Sequence, residues 1–241
     1  RFGREDDGTW MRRIRAAGGV YLGAVPEERL SAVYSMATVF VTGSFDDLQS
    51  RDVRFLEEAA KLGRVTVGLW TDELVRSREG RPPKFPFDER LYLVQAMRSV
   101  ASVAPIAEAP PSEHPEKRAR PKSDLRAADL RSALNEIKPD VCVVDGRHIM
   151  PELSESCRGH GPEFRTLSSA SAASFPPPPP LAVDESSDRP RVVVTGCYDW
   201  FHSGHVRFFE EVSAYGDLYV ILGHDANIRL LKGEGHPLVP Q

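Results

Sequence analysis

The stretch Val192-Val-Val-Thr-Gly-Cys-Tyr-Asp-Trp-Phe-His-Ser-Gly-His-Val-Arg-Phe-Phe-Glu-Glu211 decides how this chain reads. An apolar run of valines bounded by a glycine is the signature of a buried parallel strand. Val206, Phe209 and Val212 then recur at helical spacing, so a helix opens on His202-Ser203-Gly204-His205 straight after a tight turn. Such a strand–turn–helix junction aims backbone N–H groups and the positive helix end at one point. Two imidazoles there add donors for phosphate oxygens, and Gly204 lets a ligand approach the backbone closely. A second apolar run, Asp217-Leu-Tyr-Val-Ile-Leu-Gly223, follows at βαβ spacing and leads into Gly223-His-Asp-Ala-Asn-Ile-Arg-Leu-Leu-Lys-Gly233. The arrangement predicts machinery for holding a triphosphate.

Taken in order, Gly196-Cys-Tyr-Asp199, His202-Ser-Gly-His205, Gly216-Asp217, Gly223-His-Asp225 and Lys232-Gly233 resemble the cytidylyltransferase-like proteins of the HxGH nucleotidyltransferase superfamily. That superfamily includes glycerol-3-phosphate, choline-phosphate and ethanolamine-phosphate cytidylyltransferases and heptose-phosphate adenylyltransferases. The match covers residues 192–241, about a fifth of the chain. The resemblance implies a Rossmann-like parallel-sheet α/β fold and nucleotidyl transfer. An acceptor phosphate attacks the α-phosphorus of CTP or ATP and pyrophosphate leaves, chemistry that is mostly positioning and charge stabilisation. His202 and His205 are expected to contact the triphosphate, and Lys232 resembles the family lysine that neutralises phosphate near the reacting centre. Gly196 and Cys197 would present backbone N–H groups, with Tyr198 and Gly204 completing the nucleotide-binding set. Asp199 stays open between an acceptor or metal contact and a turn-stabilising role. Asp225 stays open between base, ribose or acceptor contact and capping a helix that starts at Ala226. Mg²⁺ is expected with CTP or ATP, held mainly by the phosphates, and no residue is assigned as its ligand. The implied reaction is CMP transfer to a small phosphorylated alcohol, in phospholipid precursor synthesis, with ATP as the alternative nucleotide.

The same pattern occurs earlier. Without a gap, residues 39–72 match residues 192–225 at fifteen of thirty-four positions, too many for coincidence across two βαβ units. The copies differ at the phosphate-facing positions: His202 falls opposite Gln49, Gly204 opposite Arg51 and His205 opposite Asp52. A carboxylate beside a triphosphate repels it, and a bulky arginine replaces the permissive glycine. The first copy therefore reads as degenerate; the rival is a different, uncharged or cationic ligand.

These observations divide the chain into an N-terminal extension (1–36, with a weak helical signal at 27–36), a degenerate cytidylyltransferase-like domain (37–170), a Pro-rich linker (171–190) and the N-terminal half of a second such domain (191–241). Within the first domain the patterning predicts a helix over 87–98 and a short strand at 100–103. An exposed loop at 105–123, a helix over 125–137 and a buried strand at 139–145 follow. Residues 164–171 fall where the family has a Ser/Thr-rich triphosphate loop, but the pattern is poorly kept. By alignment Pro240 meets Pro86, so the second copy is expected to expose a sheet edge and half its apolar face. Cover would come from the first domain, from a further segment or from another chain, which makes a homodimer one solution.

Composition bounds the alternatives. An apolar fraction of 41% suffices for a core, and a net charge of -4 gives no basic footprint for nucleic acid. No apolar run reaches membrane-spanning length. Cys142, Cys157 and Cys197 are odd in number and unpatterned, which fits a reducing, cytoplasmic setting. Two rivals to the enzyme reading stand: a non-catalytic nucleotide-binding scaffold, and a fragment of a class I aminoacyl-tRNA synthetase, which shares the HxGH signature.

Overall fold

The computed structural model describes residues 37–108, 129–146, 150–158, 161–167 and 188–238. The N-terminal extension, the loop residues 109–123, residues 168–171 and the linker up to residue 187 lie outside them.

Thr38–Gly43 (β1), Arg64–Trp70 (β2), Val100–Ile106 (β3), Val141–Asp145 (β4) and Glu163–Leu167 (β5) form one parallel sheet in the order β3-β2-β1-β4-β5. Ser50–Ala60 (α1), Asp72–Glu79 (α2), Phe87–Gln95 (α3), Leu130–Ile137 (α4) and Pro151–Ser156 (α5) connect and flank it. Strand β1 lies at its centre, and Val39, Phe40 and Val41 are all fully buried, as a strand covered on both faces requires. One face packs Val39, Val41, Val65 and Val67 against Phe55, Leu56 and Ala59 of α1 and Leu91 and Val94 of α3. The other packs Phe40, Cys142 and Val144 against Leu74, Ala133, Leu134 and Leu153. This is the Rossmann-like α/β architecture expected, with its topological switch between β1 and β4.

A second, smaller sheet follows. Arg191–Gly196 (β6) pairs in parallel with Asp217–Leu222 (β7), from Arg191 opposite Asp217 to Gly196 opposite Leu222. Ser203–Ser213 (α6) joins the strands and Asp225–Lys232 (α7) follows β7. Val206 of α6 and Ile228 of α7 are buried, while Val193, Ile221 and Leu222 are 60%, 55% and 53% exposed. The order strand–helix–strand–helix is that of β1–α1–β2–α2, and the local geometry agrees. Phe45 and Tyr198, one residue apart from equivalent serine and cysteine positions, both have φ near 45°, and Gly80 and Gly233 both end the second helix at positive φ.

Several boundaries differ from expectation. Strand β3 runs on to Ile106 and takes in Pro105, which had been read as loop. A proline lacks the N–H of a ladder, but β3 is an edge strand and needs only one hydrogen-bonding side. Residues 164–167, expected in a Ser/Thr loop, belong to β5 and pair with β4 from Phe164 opposite Cys142 to Leu167 opposite Asp145. Helix α3 stops at Gln95. Helix α4 is described from Leu130, where Asp129 accepts the Ser132 N–H at 3.0 Å, and residues 125–128 of the expected helix lie outside the described residues.

Gly68 has a packing reason. A Cβ there would stand 2.5 Å from Cζ of Phe40 and 2.9 Å from Cγ1 of Ile106. Gly68→Ala should therefore destabilise the five-stranded unit by about 1–3 kcal/mol, the usual cost of overpacking a filled core. Urea unfolding followed by circular dichroism checks this; an unchanged midpoint would mean the Phe40 ring moves aside without cost.

Candidate functional site

The junction between β6 and α6 places most of the sequence-predicted residues together. The chain leaves Gly196, passes Tyr198 in the left-handed region and enters α6 with His202 as N-cap. Gly196 is required here because a Cβ would lie 2.8 Å from Cζ of Tyr198, whose ring covers it. Tyr198 in turn meets His205 edge-on at 5.3 Å and Phe209 at 5.0 Å. Phe201 stacks on His205 at 5.6 Å, and the two imidazoles lie 4.1 Å apart, centroid to centroid.

The helix start fixes the imidazole tautomers. His202 Nδ1 accepts the Gly204 N–H at 3.1 Å, and His205 Nδ1 accepts the His202 N–H at 3.4 Å. An imidazole that accepts through Nδ1 carries its proton on Nε2 when neutral. Both rings are thus donors at Nε2, the polarity a phosphate oxygen needs. Gly204 serves this geometry directly, since a Cβ there would meet His202 Cε1 at 2.9 Å. Burial, followed by the neighbouring His202 and Lys232, holds the His205 pKa below its ordinary value. The site therefore keeps His205 neutral.

Asp199 is 4% exposed and forms a hub. Its carboxylate accepts the Leu238 N–H, lies 2.7 Å from His236 Nδ1 and 3.8 Å from Lys232 Nζ. It folds residues 233–238 back over the turn and brings Lys232, at the end of α7, toward it. Asp46 does the same in the five-stranded unit, accepting the Lys84 N–H at 2.9 Å, the Phe85 N–H at 3.0 Å and Arg81 Nη1 at 2.9 Å. Burial pushes the Asp46 pKa up, but these donors together hold it below the ordinary carboxylate range.

Asp225 is the first residue of α7. The cap of that helix is His224, whose Nδ1 accepts the Ala226 N–H at 3.2 Å, so the helix starts one residue earlier than expected and Asp225 does not cap it. Cys197 is half-buried, while Cys142 and Cys157 are buried in the five-stranded unit, where burial pushes both thiols up. Among the described residues no group of three or more His, Cys, Asp or Glu side chains is arranged to hold a metal ion. No described helix is long and apolar enough to cross a membrane.

The equivalent junction of the five-stranded unit keeps the helix start and changes its chemistry. Gln49 is the N-cap of α1 and its N–H is accepted by Asp52 Oδ2 at 2.8 Å, the role of His205. Sequence reasoning noted the carboxylate but missed that it completes a capping box, a signal present in the spacing. It also missed Trp70, which stands where the second unit has Gly223. The Trp70 indole N–H donates to Thr42 Oγ1 at 2.9 Å and so lies across the ends of β1 and β2.

No family model matches the chain. It is 40% identical over 62 residues to the bifunctional protein HldE of Geobacter sulfurreducens, covering 25% of this chain and 13% of that protein. It is 34% identical over 102 residues to HldE of Alkalilimnicola ehrlichii, covering 42% of this chain and 19% of that protein. With HldE of Pseudomonas syringae pv. syringae the identity is 44% over 61 residues, covering 24% and 13%. The matches thus span 13 to 19% of the length of these curated relatives. Among solved structures, the lipopolysaccharide core biosynthesis protein from Thermoplasma volcanium GSS1 superimposes with a TM-score of 0.41 at 23% identity, covering 55% of this chain and 95% of that one.

The electrostatics of His205 give a test. Its imidazole should titrate below a free histidine in an NMR pH series, and His202→Ala should raise its midpoint by removing a repelling cation. A depressed folded-state pKa contributes stability that is complete above the unfolded value and is lost as pH falls through the folded one. The His205 contribution should accordingly fade on acidification. An unshifted or raised midpoint would contradict the half-buried, neutral ring.

Proposed function

We propose that this chain is a nucleotidyltransferase whose nucleotide site lies in the second unit. The observation that carries the reading is the pair of imidazoles at the start of α6, both accepting backbone N–H groups through Nδ1, which leaves Nε2 as the donor of each neutral ring. Two kinds of donor are gathered there: the Nε2–H groups of the rings and the positive end of the helix. Lys232 adds a cation held near the turn by Asp199. That set suits a transferring phosphoryl group, for which positioning and charge neutralisation supply most of the catalysis.

In this reading residues 37–170 and 191–241 are two copies of one unit, and only the second binds nucleotide. The first keeps the residues that build the turn and changes those that would meet phosphate. Gln49, Arg51 and Asp52 replace His202, Gly204 and His205, and Trp70 and Glu79 replace Gly223 and Lys232. The nucleotide is CTP, with CMP passing to a small phosphorylated alcohol and pyrophosphate leaving. ATP is the alternative donor that the superfamily resemblance supplies. Mg²⁺ arrives with the triphosphate as part of the substrate.

Calorimetric titration with Mg-CTP and Mg-ATP, paired with pyrophosphate release over a panel of phosphorylated alcohols and sugars, tests the reading. The expected result is saturable binding of one triphosphate, weakened about ten- to hundredfold in His205→Ala, since a charge-assisted hydrogen bond to phosphate contributes roughly 1.5–3 kcal/mol. Asp52→Ala should leave binding unchanged while weakening the start of α1 by about 1 kcal/mol. Equal loss from both variants would sink the assignment. Binding without turnover on any acceptor would favour a nucleotide-binding scaffold.

A further inference from the structure

Among the described residues, the contacts between the two units gather along α6 and beside His202. Helix α3 of the first unit lies along α6 of the second. Tyr92 O–H bonds the Glu210 carboxylate, and the Arg207 guanidinium sits 5.8 Å from the centre of the Tyr92 ring. At the start of α6 the contacts close around His202. Trp200 donates its indole N–H to Asp47 Oδ1 at 2.9 Å and packs its ring 5.5 Å from that of Phe85. Ser203 Oγ–H donates to Glu89 Oε2 at 3.0 Å. His202 itself lines a small cleft with Phe45, Phe85, Glu89 and Leu93.

The platform beneath these contacts is rigid. Arg90, 1% exposed, donates to the Phe85 carbonyl at 3.0 Å, the Ser44 carbonyl at 2.6 Å and Asp72 Oδ1 at 2.7 Å. Lys84 bonds the second oxygen of Asp47, and this bond, ahead of the Trp200 N–H, holds the Asp47 carboxyl below its ordinary range. The acceptor that Trp200 meets is therefore a fixed carboxylate in a neutral pair. Each seam bond is exposed and contributes little by itself. Their placement matters more: anchors at residues 200 and 203 bracket residue 202, so the entry segment loses conformers before any ligand arrives.

We infer that Asp47, Phe85 and Glu89 of the first unit form a positioning site for the second. They hold Trp200 and Ser203 on either side of His202 and so preset the imidazole that would face a triphosphate. The degenerate unit then acts as a built-in partner of the site rather than a relic. This inference rests on the nucleotide reading for its consequence, but the ordering of the segment stands apart from it.

The test uses the full chain and two measurements on wild type, Glu89→Ala, Glu89→Gln, Ser203→Ala and the Glu89→Ala/Ser203→Ala double variant. The first is amide hydrogen exchange across residues 200–205. Glu89→Ala should speed it about tenfold, the effect of losing one hydrogen bond to a charged acceptor. Glu89→Gln, whose amide oxygen still accepts from Ser203, should restore it, and the double variant should be no faster than either single one. The second is titration with Mg-CTP and Mg-ATP, where Glu89→Ala should weaken binding about tenfold and Glu89→Gln should recover it. Unchanged exchange in Glu89→Ala overturns the inference. So does tighter triphosphate binding, because Glu89 would then be an anion competing for the helix end. If wild type binds neither nucleotide, the functional reading falls, and exchange that is speeded by Ala and restored by Gln still supports the seam.

Discussion

Helix α6 begins on imidazole nitrogens, and the rest of the site depends on that choice. A helix leaves its first N–H groups without partners, and a side chain must satisfy them. Serine, threonine or aspartate would do so more simply. Here His202 and His205 accept two of them through Nδ1, which leaves the proton of each neutral ring on Nε2. The same bond explains the glycine between them, because the His202 ring occupies the space of a Gly204 Cβ. It also explains the aromatic cluster, since Tyr198 and Phe201 pack against a His205 ring that burial keeps uncharged. A structural need of the helix thereby prepares donors for an anion.

Comparison within the chain separates scaffold from chemistry. Asp46 and Asp199 occupy the same place after the turn and collect backbone N–H groups from the segment that follows the second helix. Since Asp46 does this beside Gln49 and Asp52, the hub does not depend on a phosphate site. Asp199 therefore has a sufficient structural reason to be where it is, and its reach to Lys232 at 3.8 Å makes it an organiser of the site's cation. The histidines carry no such duplicate. Their counterparts preserve the capped helix start and present an amide and a carboxylate instead.

Much of this was legible in the sequence because it depends on local periodicity. The valine runs gave β1 and β6, the spacing of Val206 and Phe209 placed α6, and the matched stretches exposed the strand–helix–strand–helix order twice. What was not legible depends on distant neighbours. Pro105 reads as a loop residue until β3 is known to be the sheet edge. Trp70 looks like one more core aromatic until its indole N–H is seen to reach Thr42 from the adjacent strand. His224 reads as part of a motif rather than a cap, because histidine is an uncommon choice for that position. The seam was hidden altogether: Asp47 and Trp200 are 153 residues apart, and no periodicity links them.

The five-stranded sheet is covered on both faces, with several valines and leucines and Phe40 fully buried. Among the described residues the two-stranded sheet and its helices bury Val206 and Ile228 and expose several apolar side chains. An imidazole on that element costs affinity when it is loosely held, through the entropy of ordering it. Helix α3 touches that element at its most consequential point, the start of α6, rather than on its exposed sheet face. The core of the five-stranded unit keeps Arg90, Phe85 and Asp47 in register with that point, which gives its packing a consequence beyond its own sheet.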